Sequence, residues 1–216
     1  MWFQKFCIFA KYFYILSMET KERIIVESSN LFKRYGIRSI TMDQIAENLG
    51  ISKRTIYEIF GTKDDLLNAC IDYGMKEDEK VSKEIMKNSA NIIEAFLTHI
   101  KKNIDTMNSI SPLFMLDAMK FHSKVFKNKM KEREMSAYNH IIDFIKTGKA
   151  DGYFKPQINE DIVSKLIIEQ FKIIGNDKLF PPNKYSKSEI FENIAVNFLR
   201  GIATINGVKI IDDFDI

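Results

Sequence analysis

Cysteine, proline and glycine are all scarce: two, four and nine residues respectively in a chain of 216. Neither Cys7 nor Cys70 belongs to a CxxC pair. No disulfide framework or zinc site is therefore expected, and a reducing cytoplasm fits. A redox switch between the two thiols is the alternative to a plain packing role for Cys70. The three histidines, His99, His122 and His140, have neither HExxH nor i, i+4 spacing. They read as solvated or hydrogen-bonded side chains, and no metal and no cofactor is expected. GxSxG, P-loop and GxGxxG motifs are missing, and no Cys/His pair has the spacing of a local catalytic motif, so the chain does not read as an enzyme. A formal net charge of +3 is too small for non-specific coating of nucleic acid. No apolar run reaches the ~20 residues of a membrane-spanning helix.

Residues 1–17, MWFQKFCIFAKYFYILS, stand apart from the rest of the chain. They are apolar and aromatic on all sides, are interrupted by Lys5 and Lys11, and lack a small-residue cleavage site. A start assigned upstream of Met18 is the favoured reading, because Met18 leads into the polar stretch ETKER. An interfacial anchor and an extra packed helix are the two rivals. Stable membrane association is not expected.

What is present is helical periodicity from end to end. With 45% hydrophobic and 28% charged residues, the chain has the composition of an ordinary soluble protein. Its length allows a small domain plus a larger one. The clearest stretch is TMDQIAENLGISKRTIYEIFGTKDDLL, Thr41 to Leu67. Thr41 with Gln44 forms a capping box for a short helix. Gly50 ends that helix at a position suited to left-handed backbone. Ser52 caps a second helix, with Lys53, Arg54 and Thr55 in its first turn. Ile45, Leu49, Ile51, Ile56 and Ile59 supply a shared apolar seam, and Ala46 is small where the helices approach. Thr62 with Asp65 caps a long third helix running from Lys63 towards Asn88. This is the spacing of a helix-turn-helix, whose second helix enters the DNA major groove.

Residues 19–67, with LFKRYG, the helix-turn-helix and GTKDDLL, resemble the N-terminal domain of the TetR family of bacterial transcriptional regulators. Arg54 stands where a small residue is common in that family, and Ile59 replaces an aromatic. From the docking geometry, Lys53 and Arg54 reach base edges, and Arg54 can bind guanine through two hydrogen bonds. Ser52 and Thr55 can bond bases or phosphate. Arg38 and Thr41 can hold the backbone on the other side. The resemblance makes Tyr57 and Lys63 phosphate contacts. Glu58 can repel phosphate or accept from cytosine N4, and both readings stay open. Residues 18–67 hold eight basic and eight acidic side chains, so one such domain should bind modestly and two linked domains are needed.

The first helix, about 19–35, places Ile24, Ser28, Leu31, Phe32 and Tyr35 on one face. Beyond the third helix, Asn91 with Glu94, Pro112, and Asn159 start further helices. A long helix is expected from about Phe126 to Thr147, ending at Gly148, with the basic run KNKMKER at 127–133 on its solvated face. Ser186 with Glu189 starts a last helix, and the residues from Asn206 read as a loose tail. The apolar stripes of the last two helices are wider than one neighbour requires. Leu166, Phe171, Phe191, Ile194, Phe198 and Ile202 are the candidate interface of a homodimer. The resemblance further implies a ligand cavity, with Phe96, His99, Phe114, Met115, Phe121, His122, Phe144 and Phe171 as candidate lining.

The expectation is thus an all-α protein of four parts: an N-terminal extension at 1–17, a helix-turn-helix domain at 18–65, a helical effector and dimerisation domain at 66–205, and a tail at 206–216. Its expected partners are a double-stranded DNA operator, a second copy, and an unidentified small-molecule effector that releases a repressor. The rivals are a DNA-bound interaction protein answering to a protein partner, and a membrane-tethered regulator if residues 1–17 are made.

Overall fold

The computed structural model describes residues 19–214, so the expected extension at 1–17, including Cys7, lies outside the described residues. The described residues form ten α-helices. They are α1 (Thr20–Tyr35), α2 (Met42–Leu49), α3 (Lys53–Phe60), α4 (Lys63–Asn88) and α5 (Ile92–Ser109), then α6 (Pro112–Phe121), α7 (Ser123–Ala150), α8 (Glu160–Lys172), α9 (Lys187–Ile202) and α10 (Ile205–Asp213). The fold is all-α, and the bridge between Phe154 and Ala203 is isolated.

Two compact units divide the chain, and they are not the contiguous pair expected from sequence. The first contains described residues 19–77 together with Ile110–Lys129, and the second contains Asp78–Ser109 and the residues from Met130 onwards. Helix α6 belongs to the first unit because Ala118 is fully buried in that unit's core. The Ser111 amide also donates to the Lys33 carbonyl at 2.8 Å.

In the first unit, α1 buries Ile24, Ser28 and Phe32 completely. Tyr35, expected on the same face, is exposed at the helix end, with the Arg34 guanidinium 5.2 Å from its ring centre. Ile37, Ile45, Ile56, Leu66 and Leu67 complete an aliphatic core. Each such side chain stabilises by about 1.5–3 kcal/mol relative to exposure. Cys70 is buried there, and burial pushes its thiol up to about 12.

The second unit is aromatic where the first is aliphatic. Phe96 stacks on Phe144 at 4.4 Å, Phe144 meets the edge of Phe154 at 4.9 Å, and Phe171 stacks on Phe191 at 5.0 Å. Gly148 does not stop α7 as the sequence led us to expect. The helix continues to Ala150 and turns at Gly152, where φ is +77°. Gly148 is instead the floor under Phe154, since a Cβ there would sit 2.2 Å from the ring. Within the largely exposed basic run at 127–133, Lys129 meets Asp72 at 2.6 Å and Arg133 meets Asp78 at 3.6 Å.

The expected tail is also corrected. Residues Ile205–Asp213 are helical, with the Thr204 hydroxyl accepting from the Gly207 amide, Arg200 paired with Asp212 at 2.8 Å, and Ile211 buried. Of the candidate interface residues, Phe191 and Ile202 are buried in the core of their own unit. Leu166 is exposed, while Phe171, Ile194 and Phe198 are half-buried.

Candidate nucleic-acid interface

Three capping side chains shape the helix pair. The Thr41 hydroxyl accepts from the Gln44 amide at 3.2 Å, and the Gln44 side chain accepts from the Thr41 amide at 2.8 Å. The Ser52 hydroxyl accepts from the Thr55 amide at 3.0 Å. Thr62 and Asp65 exchange the same two bonds at the head of α4, at 3.0 and 3.1 Å. Each satisfies amides that the first helical turn leaves without a partner. Gly50 takes φ +65° and ψ +32°, the left-handed geometry that a Cβ disfavours. The turn lets Ile45 and Ile56 bury fully against each other's helices with Ala46 between, flanked by half-buried Leu49, Ile51 and Ile59.

The opposite face carries the expected contact residues. Ser52, Lys53, Arg54 and Tyr57 are exposed, Thr55 is half-buried, and Thr41 is exposed one helix earlier. None of the cations stands alone. Lys53 pairs with Asp43 at 2.8 Å, and that hydrogen bond raises its pKa above the ordinary lysine value. Arg54 Nε donates to Glu58 Oε1 at 2.7 Å, a contact that uses neither terminal guanidinium nitrogen. Arg38 has its amide on Asp117 and its guanidinium 4.7 Å from the centre of the Phe121 ring.

Lys63 departs from the expected role. Its ammonium turns inward and donates to the carbonyls of Ile37, at 2.6 Å, and Ile40. Burial holds its pKa below the ordinary lysine value. Asp117 is the residue that sequence reasoning missed. Its only sign was one acid inside the otherwise apolar helix PLFMLDAMKF, whose end is marked by Lys120.

The eight candidate effector residues divide equally between the two units. Phe114, Met115, Phe121 and His122 fall in the first unit. Phe114 packs on its core, Met115 is exposed, Phe121 lies beneath Arg38, and His122 pairs with Asp64 at 2.6 Å. Phe96, His99, Phe144 and Phe171 fall in the second. Phe96, Phe144 and Phe171 pack in its aromatic core, while His99 meets Asn103 at 2.8 Å and burial lowers its pKa.

Residues 24–70 match the family model of the bacterial regulatory proteins of the tetR family. Over this stretch the chain is similar to the TetR family. The match runs from the buried Ile24 of α1 to Cys70 of α4, which covers the capped helix pair and stops short of α6. A Bacillus subtilis relative, the uncharacterised HTH-type transcriptional regulator YvaF, is 36% identical over 74 residues. That alignment takes in 34% of this chain and 38% of the relative, so the shared stretch spans well under half of either protein. Likeness of fold extends further. A transcriptional regulator from Cytophaga hutchinsonii aligns over 85% of this chain and 98% of its own, with a TM-score of 0.72 and 20% identity. A protein from Saccharomonospora viridis, crystallised with choline, aligns over 85% and 97%, with a TM-score of 0.67 and 17% identity. The TetR family comprises regulators, not enzymes. Among the described residues no helix is long and apolar enough to cross a membrane.

Proposed function

We propose that this TetR-family chain is a homodimeric transcriptional repressor that reads a near-palindromic operator and is released by a small organic ligand. One observation carries the DNA reading: the Ser52-capped helix α3 presents Ser52, Lys53, Arg54 and Tyr57 on a single exposed turn, rigidly backed by Ile45 and Ile56. In a helix-turn-helix that turn is the part that reaches base edges and phosphates. Thr55, Thr41 and Arg38 complete the contact set, with Lys63 in a supporting place behind them.

Dimerisation is supported by charge and by exposed apolar area. Residues 18–67, which carry the reading helix, have zero net charge and gain little from phosphate alone, so two linked heads are needed for tight binding. Helix α8 leaves Ile162 and Leu166 more than half exposed, apolar area that a second copy would cover together with half-buried Phe171, Ile194 and Phe198. Two bound copies then read half-sites separated by about 34–36 Å or a multiple of it.

The ligand reading is supported by the Saccharomonospora protein's complex with choline and by the aromatic interior of the second unit. Phe96, Phe144 and half-buried His99 are the residues of that unit through which we expect the ligand to act. Ligand and DNA are then linked, each weakening the other by the same factor. The rival, a DNA-bound protein that answers to a protein partner, draws on exposed Leu113, Leu116 and Met119 of α6.

Selection from random-sequence DNA, followed by sedimentation of the protein on the selected duplex, tests the reading. We expect one palindromic sequence class carrying two protomers, weakened by Lys53→Ala and Tyr57→Phe without loss of the dimer. A stable monomer with no preference among sequences would refute it. Thermal-shift screening of small molecules, with hits tested for operator release, separates the ligand reading from its rival.

A further inference from the structure

The five residues GIRSI between α1 and Thr41 form a loop that carries one proposed DNA contact, Arg38, and leads directly into another, Thr41. Buried Ile37 and Ile40 anchor it from within. The Gly36 amide donates to the Phe32 carbonyl of α1 at 2.9 Å, and the Gly36 carbonyl accepts from the Ser39 hydroxyl at 3.2 Å; past it, the loop's main-chain polar groups have no helix or sheet to pair with and must find partners elsewhere. Opposite charges supply them. On one side, the Asp117 carboxylate accepts from the Arg38 amide at 2.7 Å. On the other, the Lys63 ammonium donates to the Ile37 and Ile40 carbonyls.

Three further facts make this more than an incidental bond. Asp117 is only 8% exposed, and a carboxylate taken out of water that far is tolerated only with a partner. Gly36 has φ +87°, and a Cβ there would lie 3.0 Å from both Asp117 Oδ2 and Leu113 Cβ, so the bare glycine lets the carboxylate reach the loop. One turn beyond Asp117, the Phe121 ring lies under the Arg38 guanidinium. Helix α6 therefore holds Arg38 twice, by its amide and by its side chain, although 79 residues separate Arg38 from Asp117. The Asp117 charge also acts favourably on the Lys63 ammonium across the loop.

We propose that Asp117 is a positioning residue for DNA binding: with Lys63 opposite it, the carboxylate fixes the 36–41 loop so that Arg38 and Thr41 meet the phosphate backbone. The proposal rests on the reading that this face binds DNA. Without Asp117, the Arg38 amide loses its acceptor and the loop can move off the duplex while α2 and α3 keep their own caps.

The test uses the full chain, the sequence selected by the wild-type protein, and the variants Asp117→Leu, Arg38→Ala and their double. Each is checked by circular dichroism to be folded at the temperature of measurement. Asp117→Leu should weaken binding about tenfold and flatten the log–log salt dependence by about one contact per protomer, ~1.8 in slope for the dimer. Arg38→Ala should do the same, and the double variant should add little to either. Asp117→Asn, which keeps an acceptor oxygen, should recover most of the affinity. Amide exchange provides a readout without DNA: the Arg38 amide should exchange faster in Asp117→Leu, with the α3 amides unchanged. Should Asp117→Leu fail to fold, Phe121→Leu takes its place, because that ring is exposed. It should weaken binding a few-fold, non-additively with Arg38→Ala.

If the variants melt earlier but, while folded, keep the wild-type affinity and salt slope, Asp117 is merely structural and the proposal falls. Additive losses for Asp117 and Arg38 overturn it as well. If the wild-type protein itself selects no sequence, the DNA reading fails, and this proposal with it.

Discussion

Glu58 is where the structure turns an open question into a decidable one. Its carboxylate accepts from Arg54 Nε at 2.7 Å, one helical turn away, with side-chain exposures of 58% and 87%. An exposed i, i+4 pair of this kind contributes only ~0.3–0.5 kcal/mol, so opening it on contact with DNA costs about a factor of two at most. Orientation is the larger effect. With Nε engaged, the two terminal nitrogens remain free and coplanar, which is the fork that matches guanine O6 and N7. A well-made pair of that type discriminates by ~1–3 kcal/mol, roughly 5- to 150-fold. Glu58→Ala should therefore raise affinity for arbitrary DNA by about twofold, through loss of a charge near phosphate, while lowering preference for guanine at one operator position about tenfold. Glu58→Gln keeps an acceptor for Nε and should retain much of the preference. The assay is competitive binding to the selected operator and to duplexes changed one base pair at a time, at fixed salt. If Glu58→Ala strengthens binding to every duplex equally and leaves the base preference unchanged, Glu58 only repels phosphate and the orienting argument is wrong.

Two predictions concern the cores. Gly148→Ala gains ~1 kcal/mol of helix propensity but places a methyl 2.2 Å from the buried Phe154 ring, well inside the ~3.5–4.0 Å of carbon contact. The clash should win, with a net loss of about 2 kcal/mol in urea unfolding, whereas Gly74→Ala, which meets nothing within 4 Å, should stabilise. Equal stabilisation by both would show that Phe154 does not sit on Gly148. For Cys70, the native thiol titrates at about 12 against 9.0 for an unperturbed one, so the native state holds its proton where the unfolded chain has lost it. The stability this contributes is present below pH 9 and is lost as pH rises towards about 12, at up to ~1.4 kcal/mol per pH unit. The wild-type minus Cys70→Ala difference in urea midpoint should shrink over that range, and a difference flat from pH 8 to 10.5 would contradict the buried thiol.

The parts of this molecule that could be read from its sequence are those settled by residues a few positions apart. Thr41 and Gln44, Ser52 and Thr55, Thr62 and Asp65 each carry a helix start within four residues, and Gly50 carries the turn between two of them. The parts that could not be read depend on contacts distant in sequence. Gly148 looks like a helix end, because a glycine after an apolar stretch usually is one, and only the Phe154 ring reveals why it stands inside α7. The tail looked loose because nothing local shows that Ile211 has a core to enter. Phe191 and Ile202 share periodicity with residues left open to solvent, and periodicity alone cannot tell an inner neighbour from a second copy. Helix α6 was assigned by position to the larger domain, yet Asp117 and Ala118 tie it to the first unit.

Charge explains why so basic-looking a helix start comes without a basic domain. The three cations proposed for DNA contact already have partners in the free protein: Lys53 has Asp43, Arg54 has Glu58, and Arg38 has the Phe121 ring. For Lys53, binding DNA is then an exchange of partners, and the net attraction is the difference between the duplex group and the carboxylate given up. That difference is favourable only where the duplex offers a well-placed acceptor, because Asp43 takes the ammonium back wherever it does not. On the proposed dimeric reading, such a face should bind arbitrary DNA weakly and rely on two heads engaging together to hold its own site. A regulator built that way would need only a small mismatch between its heads to let go, since neither head would hold on alone.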